Sequence, residues 1–290
     1  MIGIVVVIYK SIDETIRFIN QEIPKIKVPF KLAIVNNCGT NEDSIFLVQK
    51  CNATLVDSNK IDISNNQYVI TIKENIGYAN GNNVGVEFLT KHFELEYILF
   101  SNNDIVIPSQ KNSLEVLLKK MDETNDIGII GPQILGLDNK SQSPHFEISF
   151  YRYFGWIAFP FLRNRINLFK IKESKKNELE KSGYCYWVSG CFFLVRTLDF
   201  INAGMFDTNT FLYGEEKILS ERMLNINKMC YYVSTFTIIH KQGLSTTNYL
   251  RKKEIDRLVF ESDCYFFEKY KYIHIIFIKV LRRIFYTLNK

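Results

Sequence analysis

No stretch of these 290 residues reaches the roughly 18 uncharged apolar positions that a membrane-spanning helix requires. The longest candidate, Gly183 to Val195, is short and broken by Ser189 and Gly190. The chain is expected to touch a membrane at most, without crossing it. The six cysteines, Cys38, Cys51, Cys185, Cys191, Cys230 and Cys264, contain no C-x-x-C pair, and no basic leader with a cleavage site precedes the first apolar run. Both features point to reduced thiols in a cytoplasmic protein. Neither G-x-x-x-x-G-K-[ST] nor G-x-G-x-x-G occurs, so ATPase and hydride-transfer readings lose support. RNP-like and zinc-finger patterns are missing too, and no nucleic-acid partner is expected.

What is present is a globular composition, 47% hydrophobic and 23% charged, which excludes disorder and low complexity. The aromatic share is high at 14%, from 23 Phe, 16 Tyr and 2 Trp. The net charge of +5 is unevenly placed. Residues 251–290 carry ten Lys and Arg against five Asp and Glu, so the preceding 250 residues are neutral. From Lys269 onward six basic residues alternate with apolar and aromatic ones and no acid appears. Such a segment suits an anionic membrane interface, or equally a C-terminal helix docked on its own domain with Lys and Arg reaching outward.

The first half alternates strand and helix patterns. Ile2 to Ile8 is a β-branched run fit for a strand buried on both faces, and Ser11 with Glu14 predicts a capping box for a helix that Pro24 ends. Strands are predicted at Leu32–Val35, Val69–Ile72, Tyr97–Phe100 and Ile127–Ile130, with helices at 43–50, 79–92 and 113–121. Further on, Tyr186–Arg196 reads as a strand interrupted at Ser189-Gly190, Glu215–Asn225 as a helix, Met229–Ile239 as a strand and Arg251–Tyr270 as a helix. This order predicts an α/β fold, a Rossmann-like and mainly parallel central sheet flanked by helices, with ligands at the carboxyl ends of the strands. One domain over 1–250, with an aromatic and basic insertion at 146–181 and a helical extension at 251–290, is the economical division.

Polar residues just after the strands carry the chemistry. Asp104 ends Ser101-Asn102-Asn103-Asp104, where a hard cation on a diphosphate would need an oxygen ligand, though Asn-Asp there is also ordinary turn chemistry. Asn75 to Gly85 contains glycines at 77, 81 and 85, a bare helical stripe for close packing, with Asn75, Asn82 and Asn83 as amide donors and acceptors. Glu215 and Glu216 open a helix, where the dipole stabilises acids and where aromatic surroundings can raise a carboxyl into the range of a general base. His240 closes an apolar strand.

Taken in order, these segments resemble a family 2 glycosyltransferase of the GT-A fold, of the bacterial rhamnosyltransferase-like kind. Ile4 to Tyr9 looks like the family's opening strand and Ile34 to Thr40 like its V-D-N-x-S-T turn. Asn75 to Gly85 is close to N-x-G-(F/Y)-A-x-G-N-N-x-G, Leu99 to Ile105 to L-N-x-D, and Ile127 to Gln133 to G-x-x-G-P. Gly204 to Arg222 follows G-x-F-D-x-x-F-F-x-Y-x-E-D-x-D-L-x-x-R, and His240 to Ser245 follows H-x-x-G-x-S.

The resemblance implies an inverting, metal-dependent transfer of a sugar from a UDP- or dTDP-sugar to a glycan or lipid-linked acceptor in cell-surface polysaccharide biosynthesis. It implies Mg²⁺ or Mn²⁺ on Asp104 and His240, and Glu216 as the base beside Glu215. Asp207 and Tyr213 would lie on the acceptor side. Tyr9, Asn36, Asn75, Gly77, Asn82, Asn83, Asn102 and Asn103 would surround the nucleotide sugar. Three positions depart from the pattern: Asn36 and Glu216 stand where the family has Asp, and Ile218 replaces a later Asp. They motivate the alternative of a nucleotide-sugar-binding protein without transfer. Peripheral attachment to the inner face of the cell membrane through 269–290 is the expectation for the tail, and the oligomeric state, monomer or homo-oligomer, stays open.

Overall fold

The β-branched run Ile2–Ile8 forms strand β1, buried on nearly every residue in a computed structural model that describes residues 1–56, 61–108, 114–147, 181–241, 251–273 and 275–276. Then follow α1 (Ile12–Gln21), β2 (Phe30–Asn37), α2 (Asn41–Cys51), β3 (Thr54–Leu55), β4 (Gln67–Ile72), α3 (Gly77–His92), β5 (Tyr97–Ser101) and β6 (Ile105–Val106). The remainder comprises α4 (Leu114–Glu123), β7 (Ile127–Gly136), β8 (Gly183–Cys185), β9 (Phe192–Arg196), α5 (Thr197–Asn202), α6 (Glu215–Leu224), β10 (Met229–His240) and α7 (Lys252–Tyr270). Most of the aromatic insertion (148–180), Gly243, Ser245 and Thr246 after His240, and residues 277–290 of the basic tail lie outside the described residues.

One sheet runs in the order β3-β4-β2-β1-β5-β9-β7-β10-β6, with β8 also paired to β10. Its first half is parallel, from β3 to β5, as the alternating pattern predicts. The order reverses at β1, which has β2 on one side and β5 on the other, so a crevice opens at the carboxyl ends of these strands. The second half is mixed. β9 enters antiparallel between β5 and β7, and β10 runs parallel to β7 but antiparallel to β6. Two apolar layers fill the two faces, one around Phe18, Leu99 and Phe192, the other around Val5, Phe100 and Phe206.

Two local expectations are corrected. Ser11 stands at the start of α1 without capping it through its side chain. Its hydroxyl accepts instead from Asn103 at 2.8 Å, and Glu14 pairs with Arg17 at 2.7 Å. The capping box belongs to α2, where Thr40 and Asp43 exchange backbone bonds. The strand expected at 186–196 begins only at Phe192, because the backbone of Tyr186 and Trp187 pairs instead with His145 in an isolated antiparallel bridge.

α3 lies close on β1. A Cβ on Gly81 would stand 2.8 Å from Val7 Cγ1, and one on Gly85 2.6 Å from Val5 Cγ1, so the two glycines are what permit this approach. Gly77 does different work: with φ of +85° it turns the chain into the helix, where any Cβ would meet the Phe211 carbonyl oxygen at 2.5 Å.

Candidate functional site

The register of the sheet brings the first pair together. His240, the last residue of β10, sits opposite Ile105 of β6, so it faces the residue before it, Asp104. Asp104 is 1% exposed, and its Oδ1 lies 3.3 Å from His240 Nε2. That oxygen is buried and accepts no hydrogen bond among the described residues. The other ring nitrogen, Nδ1, lies 2.7 Å from Gln142 Oε1. An Nδ1–H donating there fixes the ring and directs Nε2 at the carboxylate. Burial works against the imidazolium, but the Asp104 carboxylate and the neighbouring Cys191 outweigh it and push His240 up to about 10. Gln142 carried no sequence signal, since it stands in no motif.

Residues 190–191 join this pair to the second cluster. The Cys191 carbonyl accepts from the Asn102 amide at 2.9 Å, two residues before Asp104. On its other side Gly190 packs on Glu216 so tightly that a Cβ would lie 2.0 Å from Oε1. Tyr78 of α3 closes the gap, its hydroxyl donating to the Gly190 carbonyl at 3.0 Å.

Glu215 and Glu216 begin α6 after a turn in which Tyr213 and Gly214 both adopt positive φ, +75° and +87°. For Tyr213 this is a strained conformation, which the packing around it must hold. Glu215 is 2% exposed, and its Oε1 accepts no hydrogen bond among the described residues. Burial first, then the adjacent Glu216, raises its carboxyl to about 8. Glu216 keeps some accessible surface, yet the protein around it also raises its carboxyl, opposed by the Gly190 amide. Two paired acids with elevated proton affinity thus stand at a positive helix end.

Asp207 turns inward. Its carboxylate is 3% exposed and receives the Asn209 amide at 3.0 Å, the Asn209 side chain at 2.8 Å, Tyr265 at 2.9 Å, Tyr270, and Arg222 at 3.0 Å. It therefore fastens the 204–210 turn to α6 and α7. Burial opposes the charge, but the Tyr270, Asn209 and Tyr265 donors prevail and hold this carboxyl down at about 2.

The asparagine-rich segment works mostly within the fold. Asn83 Nδ2 donates to the Phe206 carbonyl at 3.0 Å, and its Oδ1 accepts the Phe206 amide at 3.1 Å. Asn82 donates to Tyr78 within its own helix at 2.9 Å. Asn75 Oδ1 accepts from Gly77 N and from Asn37 Nδ2, both at 3.0 Å. Asn37 also takes the Ile76 amide at 3.1 Å, which makes it the organiser of this loop. The tandem Asn36-Asn37 was the available signal, because successive strand residues point to opposite faces.

Of the remaining candidates, Asn36 is 1% exposed at the end of β2 and donates to Ser44 at 3.0 Å, which also takes Thr71 at 2.7 Å. Asn103 is buried against Ser11 and Thr15. Asn102 and Tyr9 keep partial exposure at the mouths of β5 and β1, and Lys10 lies 5.1 Å over the Tyr9 ring.

No protein-family model and no curated protein matches the sequence. Among solved structures the chain is similar to S. aureus TarS, with 16% identity, a TM-score of 0.50, and coverage of 92% of this chain and 44% of that one. It is likewise similar to GalNAc-T7, whose structure contains UDP, GalNAc and Mn²⁺, at 13% identity, a TM-score of 0.55, and coverage of 98% and 54%. The chain spans about half the length of the solved structures it matches. Both neighbours are glycosyltransferases, and what the chain shares with them is the fold: a mixed α/β sheet flanked by helices, of the GT-A type.

Proposed function

We propose that this chain is an inverting glycosyltransferase that moves a sugar from a nucleotide-sugar donor to a hydroxyl of a glycan or lipid-linked acceptor. The observation that carries the reading is the position of Gly190–Cys191, which touch the Asp104 side of the crevice through Asn102 and the Glu216 side directly. A donor's diphosphate at the first and an acceptor's hydroxyl at the second would face each other across this short connection. GalNAc-T7 carries UDP and Mn²⁺ in the same fold, and the family motifs follow one another in the expected order.

The residues present fit a divalent cation. A buried Asp104 carboxylate oxygen facing His240 Nε2 would form a donor set that Mn²⁺ or Mg²⁺ accepts once the proton that Asp104 favours on that nitrogen is displaced. No group of three or more His, Cys, Asp or Glu that could hold a metal exists among the described residues, so Asp104 and His240 would supply the protein's share. When bound, the cation supplies Lewis-acid neutralisation of charge on the leaving diphosphate.

Glu216 accepts the proton of the acceptor hydroxyl as its oxygen attacks the anomeric carbon, and the bond to the diphosphate oxygen breaks on the opposite face. Burial raises the proton affinity of Glu216, which strengthens it as a base so long as the working pH keeps it ionised. Glu215 precedes it on α6 with its own carboxyl raised to about 8 by burial, and Tyr213 flanks the same turn. Asn36, with its amide turned toward Ser44, lines the end of β2 where the nucleobase would rest. A rhamnosyl donor and an acceptor in cell-surface polysaccharide are the finer form of the proposal.

The test is nucleoside diphosphate release from UDP-, dTDP- and GDP-sugars with Mn²⁺ and candidate acceptors. Turnover that Asp104→Ala and Glu216→Gln each reduce at least a hundredfold is expected. Calorimetric donor binding without product, unchanged by Glu216→Asp, would replace this reading with that of a binding protein.

A further inference from the structure

The two carboxylates have a cation as their immediate neighbour in sequence, Lys217, which opposes the rise in their proton affinity from a distance, and yet no direct ion pair joins it to them among the described residues. The Lys217 ammonium is instead directed away, to the Asp263 carboxylate on α7, and lies 4.9 Å over the Phe266 ring of the same helix. Both partners are largely buried, with side chains 15% and 12% exposed. α7 also grips the strained turn before the acids. Ser262 Oγ donates to the Leu212 carbonyl at 3.1 Å, and a Cβ on Gly214 would stand 3.5 Å from Ser262 Cβ. One turn of α7 thus touches both the backbone that aims Glu215 and Glu216 and the only cation on their own helical turn.

We propose that Asp263 is a positioning residue for the Glu215–Glu216 pair, holding the Lys217 ammonium against α7 so that it reaches the two acids only from a distance and forms no direct ion pair with either. Lys217 has a flexible four-carbon stem, and released from Asp263 it can fold back on the adjacent carboxylates. An ammonium there would favour their ionised form and weaken them as acceptors of a proton. Burial lowers the Lys217 ammonium to about 8, so it remains charged at neutral pH and the choice of partner matters there. The other groups that face the acids leave the argument in place. Tyr78 from α3 and Tyr213 from the turn, both pushed up by burial, are neutral near pH 7, and the Gly190 amide is fixed. Lys217 is the single mobile charge among them.

The consequence for transfer rests on Glu216 being the base, so the primary readout is independent of catalysis. In protein labelled with ¹³C at the glutamate carboxyls, the elevated titrations that vanish in Glu215→Gln and Glu216→Gln identify the pair. Asp263→Asn is expected to lower them by about one pH unit or more, and Asp263→Glu to return them toward the wild-type values. Lys217→Met/Asp263→Asn removes both charges together and protects against a variant that fails to fold; its titrations are expected within about half a unit of wild type. Unmoved titrations in Asp263→Asn, or a rise of about a unit or more in the double variant, would overturn the proposal, the latter because it would mean that Lys217 already serves the acids. Where transfer is active, the acidic limb of kcat/KM moves down with the same variants while donor binding stays constant. An absence of transfer with shifted titrations would sink the glycosyltransferase reading and leave the role of Asp263 standing.

Discussion

Replacing Ile218 with Asp restores the residue that the sequence pattern leads one to expect, and it is predicted to damage the protein. Ile218 is fully buried on α6 and packs with Cys264, Phe266, Phe267 and Ile275, the contact that seats α7 and the residues after it. Losing this aliphatic side chain from a packed site costs roughly 3 kcal/mol, and placing a carboxyl there without a partner adds roughly 2 kcal/mol even when it protonates. The total of about 5 kcal/mol rivals the whole stability of many domains. The cluster is small, however, and separate from the two sheet layers, so the less costly response is for α7 to detach while the sheet persists. Hydrogen exchange followed by mass spectrometry separates the outcomes. Protection should vanish over Ile255–Phe267 and survive over Val5–Val7, whereas Ile218→Val, which costs about 1 kcal/mol, should leave both in place. Full protection of α7 in the Asp variant, with an unchanged urea midpoint, would refute the assignment of Ile218 to this core.

Asn83→Ala removes both bonds to the Phe206 backbone and leaves a buried amide and carbonyl unpaired, so a loss of about 3 kcal/mol is expected in urea unfolding. Asp207 carries a pH signature. Its folded carboxyl is held at about 2, below the unfolded value, so the folded state binds fewer protons; the stabilisation, about 2 kcal/mol, is complete above pH 4 and fades as pH falls toward 2. Asp207→Asn should flatten this part of the stability curve, measured by denaturant titration from pH 2 to 5. For the tail, Tyr270, Ile273 and Ile275 belong to the fold, so the membrane test is truncation after residue 276. Removing Lys279, Arg282, Arg283 and Lys290 forfeits up to roughly 4 kcal/mol of attraction to anionic lipid at low salt. Sedimentation with anionic vesicles should fall more than tenfold, and equal sedimentation would exclude the tail as the contact.

The longer strands of the parallel half were legible because each has an apolar run followed by polar turn residues, whereas the two-residue β3 is too short to show a pattern. Residue order alone placed Asp104 and His240 at carboxyl ends. Their meeting was not legible, since it depends on the antiparallel pairing of a two-residue strand, Ile105–Val106, with the end of β10. Ser11 and Glu14 misled for a related reason. The local pattern fits a capping box, but Asn103 from the loop after β5, a tertiary partner outside any local window, takes the hydroxyl, and Arg17 one turn along α1 takes the acid. At Thr40 no competing partner stands among the described residues, and the same pattern is realised with Asp43. Gln142, by contrast, gains its importance from position alone.

The most specific motif in the sequence does its visible work inside the protein. Asn83 fixes Phe206, while Tyr78 N donates to Phe211 O at 3.0 Å and Gly77 permits the approach. Together they press the 204–214 segment from the α3 side, as Asp207, Arg222, Tyr265 and Tyr270 tie it from the α7 side. A turn with two consecutive positive-φ residues is unfavourable by itself and needs this confinement from both sides. The confinement has a purpose only if the residues that follow must be aimed, and those residues are Glu215 and Glu216, backed against Gly190. The motif thus holds, from the α3 side, the turn that precedes the acids. On this argument Asn83→Ala should lower kcat through misaim of Glu216 and leave the donor dissociation constant unchanged, whereas a direct ligand contact would weaken donor binding first.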